Sequence, residues 1–119
     1  CAYKLQEYAG KARAKYSPGK VTLPGRKQVW RTYDESGVMT GDTLSLETDS
    51  GEGEPLVRRV MRDGRRLKPS PGLDDIRARF AHNLKSLPSR LRKLESRPRR
   101  YPVDVGDPLR DLADKTPGA

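Results

Sequence analysis

The chain has 119 residues, of which 33% are hydrophobic and 34% charged, which is length enough for one domain but little apolar material for a self-sufficient core. Twenty-five Lys and Arg stand against 16 Asp and Glu, a formal charge of +9, which favours acidic partners: nucleic acid, phosphorylated metabolites or an anionic membrane surface. Cys1 is the only cysteine and His82 the only histidine, so a disulfide framework and a Cys-based metal site are excluded, and a zinc site or a Ser-His-Asp triad is disfavoured.

No apolar run approaches the ~20 residues of a membrane helix, and no signal-peptide pattern opens the chain, so the expected compartment is the cytoplasm. The first residues, CAYKLQEYAG, lack an initiator Met and are already strand-like in pattern. They read as an excised piece of a longer protein.

In chain order, alternation predicts a strand over residues 2–8, with Tyr3 and Leu5 on one face, a turn over 9–11, and a partner strand over 12–16. The stretch 15–32, KYSPGKVTLPGRKQVWRT, holds two turn dipeptides, Pro18-Gly19 and Pro24-Gly25, because Pro presets φ and Gly accepts a positive one. Lys20, Arg26 and Lys27 sit at its bends. Such a loop can meet an anion through side chains and backbone N–H groups together, or it is a solvated basic loop. Residues 28–33 alternate as a third strand, 34–37 form a polar turn, and 38–47 continue the sheet with Leu44 and Leu46. Residues 48–54, TDSGEGE, are an acidic, Gly-rich loop.

Asp63-Gly64 between two strand-like runs is a strong hairpin signal, since a type I′ turn needs positive φ at both central residues. Arg58, Arg59, Arg65 and Arg66 beside it fit either solvated strand faces or a phosphate-facing patch. Residues 68–72, KPSPG, bar a helix until they end. From there Leu73, Ile76, Phe80, Leu84 and Leu87 recur at steps of three and four, the period of one helix face. Asp74 and Asp75 in the first turn and Lys85 in the last suit the helix dipole, and Pro88 is the expected stop. His82 lies off this stripe and reads as a surface residue. Leu91 and Leu94 predict a short second helix, and residues 101–105 an edge strand with its Pro near the start. Asp107 is expected to cap a last helix with Pro108 in its first position and Leu109 and Leu112 inward. Residues 115–119 should fray.

These elements predict an α+β fold: a small antiparallel β-sheet followed by two or three helices. The expected division is a β-rich part, 1–68, and a helical part, 69–119. Two functions are compatible with the residues alone. One is a basic nucleic-acid-binding module, with Tyr3, Tyr8, Tyr16, Trp30 and Tyr33 among the strands as stacking platforms. The other is the tail of an enzyme that handles phosphorylated substrates. RNP-type and GXXG sequences are absent, as are a Walker A loop and a GxGxxG run.

The runs AYKLQEYAGKARAKYSPGKVTLPGRKQVWR, GEPLVRRVMRDGRRLKPSPGLDDIRARFAHNLKSLP and YPVDVGDPLRDLADK resemble the region that follows the barrel in nicotinate phosphoribosyltransferases. The resemblance covers essentially the whole chain, and TLPGRKQVWR is its most specific part. It implies the C-terminal region of a type II phosphoribosyltransferase-like enzyme, with parts 1–68 and 69–119 together one C-terminal domain of that larger enzyme. Such a parent condenses nicotinate with phosphoribosyl pyrophosphate to give nicotinate mononucleotide and pyrophosphate in NAD biosynthesis. ATP hydrolysis, through a phosphohistidine, drives the step. The implied cofactors are ATP and Mg in the parent, none of them held by this region alone. The implied partners are the two substrates, the rest of the same polypeptide and a second copy in a homodimer, with no membrane or nucleic-acid partner.

His82 does not match the phosphorylated histidine, and the barrel that carries the chemistry lies outside this sequence. The resemblance therefore implies no catalytic residue and no metal ligand here, and an inactive fragment. It does imply substrate phosphate-binding at Lys4 and Lys15, which match lysines reaching the pyrophosphate end of the site in related nicotinamide enzymes. Lys20, Arg26 and Lys27 are further basic candidates in the adjoining loop, neutralising charge on the leaving pyrophosphate.

Overall fold

Alternating side chains over the middle of the chain make a hairpin around which the remaining elements gather. The structure is a computed structural model; it describes residues 8, 10, 11, 14–17, 20–93 and 100–116, with only the backbone described at 15–17 and 20. Strands β1 (Lys15–Ser17) and β2 (Lys20–Thr22) pair antiparallel as a separate ribbon, Tyr16 opposite Val21. Strands β3 (Lys27–Tyr33) and β4 (Met39–Leu46) form the central hairpin. Its turn is fixed by Asp34, whose Oδ1 accepts hydrogen bonds from the Ser36 and Val38 amides at 2.9 Å and from the Ser36 hydroxyl at 2.7 Å. An Asp at this position satisfies backbone donors that the turn would otherwise leave open.

Strand β5 (Glu54–Pro55) pairs antiparallel with the outer side of β3. Strands β6 (Met61–Arg62) and β7 (Arg65–Arg66) make a second small ribbon. Asp63 and Gly64 at its tip have φ of 49° and 75°, the left-handed pair that a type I′ turn requires. Strand β8 (Val103–Val105) completes the sheet, in the order β5-β3-β4-β8.

The sheet is mixed, not antiparallel throughout, because β8 runs parallel to β4. A parallel neighbour needs a long crossover, and the ribbon, linker and helix between β4 and β8 supply one. Pro102 loses no pairing by its missing N–H: it offers its carbonyl to the Asp42 amide at 3.1 Å.

Helix α1 (Leu73–Ser86) starts after Gly72, whose amide donates to the Asp75 carboxylate at 3.0 Å, and ends before Pro88 as the sequence requires. At the short helix expected at Leu91 and Leu94 the described residues form a 3-10 turn, Ser89–Leu91; Leu94 lies outside the described residues. Helix α2 (Asp107–Lys115) is capped by Gly106, so Asp107 takes the first helical position and Pro108 the second. Of the strand expected over 2–8 only Tyr8 is described, and it is helical and exposed.

The core is small and lies where α2 meets β4. Leu109 is fully buried, Pro24 is nearly so, and Ala14 and Met39 are buried. By contrast, Leu73, Ile76, Phe80 and Leu84 of α1 are all exposed, Phe80 by 67%. The helix period is real, but its apolar face is largely exposed among the described residues.

Candidate functional site

The basic double turn divides in two. Lys15 and Lys20 both fall on the first ribbon, at opposite ends of its register: Lys15 pairs with Thr22 and Lys20 with Ser17. Their side chains are not described, and Lys4 lies outside the described residues. The second turn is part of the core. Pro24 is buried, and Gly25, at φ 78°, sits so close to α2 and β4 that an added Cβ would stand 3.0 Å from both Leu112 Cδ2 and Leu46 Cδ2. Only a residue without a side chain combines that conformation with that approach.

Lys27 closes this turn from inside. Its Nζ donates to the carbonyls of Leu23 at 2.7 Å and Gly25 at 2.8 Å, with Pro24 at 3.5 Å. Partial burial pulls its pKa below the usual lysine value, because desolvation disfavours the charged form. Arg26 points outward and reaches Glu47 at 3.9 Å, a distance at which an exposed pair contributes little. Its carbonyl accepts the Glu47 amide at 2.9 Å, which holds the turn to the end of β4. The structure thus brings Arg26 and Lys27 together on one turn and places Lys27's ammonium on that turn's own carbonyls.

A second polar cluster pins the sheet. Arg31 on β3 donates to both carboxylate oxygens of Asp42 on β4, Nε to Oδ1 at 2.8 Å and a terminal nitrogen to Oδ2 at 2.7 Å. The Tyr101 hydroxyl, from the segment leading into β8, donates to the same Oδ1 at 3.1 Å. The Arg31 hydrogen bonds hold the Asp42 carboxyl below the usual carboxylate range, and burial together with its bond to Asp42 pushes the Tyr101 phenol up. A bidentate Arg–carboxylate pair is geometrically demanding, so this cluster fixes the order β3-β4-β8. Its three hydrogen bonds run between β3, β4 and the segment leading into β8, which makes it a structural clamp.

The third constellation is open. Ribbon β6–β7, the following linker and α1 enclose a cavity of about 450 Å³. Arg58, Arg59, Arg66, Lys68 and Arg79 line it, so three of the four arginines flanking the Asp-Gly turn meet here and Arg65 does not. Lys68 and Arg79 were not visible as members from sequence. Their signal is weak: a Lys just after the ribbon, and an Arg in the second turn of a helix whose start the linker fixes. Among the described residues, no group of three or more His, Cys, Asp and Glu is placed to hold a metal ion.

A family model described as nicotinate phosphoribosyltransferase C-terminal domain matches residues 49–113. A nicotinate phosphoribosyltransferase of Mycobacterium tuberculosis, pncB2, is 45% identical over 107 residues, covering 89% of this chain and 23% of that protein. The mouse nicotinate phosphoribosyltransferase is 31% identical, with 96% of this chain and 26% of the relative covered. The crystal structure of human nicotinic acid phosphoribosyltransferase superposes with a TM-score of 0.71 at 26% identity, over 79% of this chain and 23% of that one. This chain therefore spans about a quarter of the length of the curated relatives that it matches.

Proposed function

We propose a function on one premise: the chain belongs to the nicotinate phosphoribosyltransferase family, through its C-terminal domain. On that premise it is the C-terminal region of an enzyme that condenses nicotinate with phosphoribosyl pyrophosphate, coupled to ATP hydrolysis, to give nicotinate mononucleotide and pyrophosphate. The carrying observation is the family match over residues 49–113, which includes β5 to β8 and most of α2. The enzyme is a cytoplasmic homodimer. No described helix is long and apolar enough to cross a membrane. Parts 1–68 and 69–119 form one domain in this reading, supported by the pairing of β8 with β4 and the seat of α2 beside β4.

This region's task is support and charge neutralisation rather than bond-making. Lys4, Lys15, Lys20, Arg26 and Lys27 are the substrate-phosphate candidates; Lys27 acts through the turn that it closes, and Lys15 and Lys20 through the β1–β2 ribbon. Magnesium, which the family implies beside ATP, does not fit the described residues, and no step is routed through it. The matches all name nicotinate phosphoribosyltransferases, which favours this reading over a nucleic-acid-binding module.

The test is the full-length protein with nicotinate, phosphoribosyl pyrophosphate and ATP, followed by chromatography and mass spectrometry of the product. Nicotinate mononucleotide formed from nicotinate, and not from nicotinamide, is expected. Absence of that product from a folded preparation would sink the reading. For the lysines, Lys15→Ala should raise KM for phosphoribosyl pyrophosphate; unchanged KM and kcat would remove Lys15 from the site.

A further inference from the structure

Between β5 and the 3-10 turn the chain leaves the four-stranded sheet, and every residue from 57 to 85 is exposed. This arm takes in ribbon β6–β7, the Pro-rich linker and all but the last residue of α1. Both of its ends are tied down. At the first, Leu56 donates its amide to the Val29 carbonyl at 2.8 Å, and the Gln28 side chain bonds both main-chain groups of Val57. Its amide nitrogen donates to the Val57 carbonyl at 3.0 Å, and its oxygen accepts the Val57 amide at 2.8 Å. Gln28 thus extends the antiparallel pairing of β3 with β5 by one residue, with a side chain in place of a strand. Glu54 accepts the Tyr33 hydroxyl at 3.0 Å and is paired with Arg58. At the second end Ser86 is buried, and Arg92 donates to the carbonyls of Lys85 at 2.6 Å and Leu87 at 2.8 Å.

A segment anchored at both ends and exposed between them presents a surface, and this one has two chemistries. Val57, Val60, Met61 and Leu67 are exposed together with the apolar stripe of α1, which marks an interaction face. The arm also carries nine Lys and Arg against three Asp, and among the described residues only Arg58 and Arg77 are paired with a carboxylate. A nucleic acid would meet the cations and leave the apolar side chains in water. A second copy of the arm would cover the apolar side chains at the cost of setting like charge against like. A protein surface with an apolar centre and an acidic rim satisfies both. The relatives are about four times as long as this chain, which leaves room for that surface in the same polypeptide.

We propose that residues 57–85 are a docking arm for the remainder of the enzyme, seated on an apolar surface rimmed by Asp and Glu, and that Gln28 fixes where the arm leaves the sheet. The inference rests on the reading that this region belongs to a longer phosphoribosyltransferase. It adds the chemistry of the contact and makes Gln28 its positioning residue.

The experiment is zero-length carbodiimide crosslinking of the full-length protein, prepared as an equal mixture of unlabelled and heavy-isotope copies and mapped by mass spectrometry. Carbodiimide joins an amine to a carboxylate in contact with it, so Lys68 and Lys85 read out the rim. Both should link to Asp or Glu outside the 119-residue region, in peptides of a single isotope composition. Both should also be acetylated several-fold more slowly than in the same protein unfolded in urea. Gln28→Ala should lower the yield of these links several-fold, and Gln28→Glu, which keeps the acceptor for the Val57 amide, should restore part of it. Lysines that form no link outside the region overturn the assignment: slow acetylation would then mean a surface without an acidic rim, and fast acetylation a bare arm. Links of mixed isotope composition would overturn it by seating the arm on a second copy. Undiminished links in folded Gln28→Ala would remove the role of Gln28; if that variant does not fold, the wild-type links still decide the arm. Every reading is made without the enzyme's activity, so the proposed reaction and this contact fail separately.

Discussion

Single residues hold this sheet together through charge and through space. Asp42 receives three hydrogen bonds from Arg31 and Tyr101, and its carboxyl titrates below the ordinary range. A group with a depressed folded-state pKa contributes its stability above the unfolded pKa, about 3.9 for Asp, and loses it as pH falls through the folded value. Hydrogen exchange of the β3–β4 amides, corrected for intrinsic rates, should therefore show a loss of protection below about pH 4 that Asp42→Asn lacks. At neutral pH the same substitution should cost about 2 kcal/mol, since it weakens hydrogen bonds to a charged guanidinium. An identical acid limb in both proteins would disprove the role. Gly25→Ala should destabilise the junction of the turn with α2 by about 1–3 kcal/mol, from the left-handed backbone alone, with further strain against Leu112 and Leu46. A melting temperature equal to wild type would count against it. At this scale the sequence was partly legible. Pro24-Gly25 reads as a turn, and it is one. That the turn is buried depends on a helix near the far end of the chain, which no local pattern reveals.

Elements whose cause is local were readable, and those set by distant partners were not. The β6–β7 ribbon follows from Asp63-Gly64, α1 from its three-four spacing between a Pro-Gly linker and Pro88, and the β3–β4 hairpin from strict alternation. The direction of β8 was beyond reach, because a three-residue strand carries no sign of whether its neighbour runs with it or against it. Helix α1 is a different case. Its stripe of Leu73, Ile76, Phe80 and Leu84 is exposed, and contiguous apolar surface of this kind drives association. The isolated 119-residue chain should therefore self-associate with rising concentration, and Phe80→Glu should reduce the associated fraction in light scattering coupled to gel filtration. If wild type and Phe80→Glu elute as the same monomer across that range, the stripe is not an adhesive face.

The whole molecule has more surface than its mass calls for. It exposes 9935 Å², where a compact monomer of 13.4 kDa exposes about 6,500 Å² by the usual size scaling. Its Cα radius of gyration is 17.0 Å, against about 13.5 Å for a compact domain of this length. Both excesses go with a small core beside α2 and with a helix whose apolar stripe is left largely exposed. A family relative four times as long offers what is missing, since the stripe on α1 is the right shape to lie against another apolar surface. Burying four such side chains would contribute several kcal/mol, at roughly 25 cal/mol per Å² of apolar area. In the longer enzyme proposed above that gain is expected, so it is measurable as a difference from the 119-residue chain. Amides of α1 should exchange within seconds to minutes in the 119-residue chain, close to the behaviour of a solvated helix, and orders of magnitude more slowly in the full-length protein. Amides of β3 and β4, whose clamp is internal, should differ far less between the two. Equal protection of α1 in both contexts would mean that the helix is stable uncovered, and the idea that the remainder of the enzyme supports it would fail.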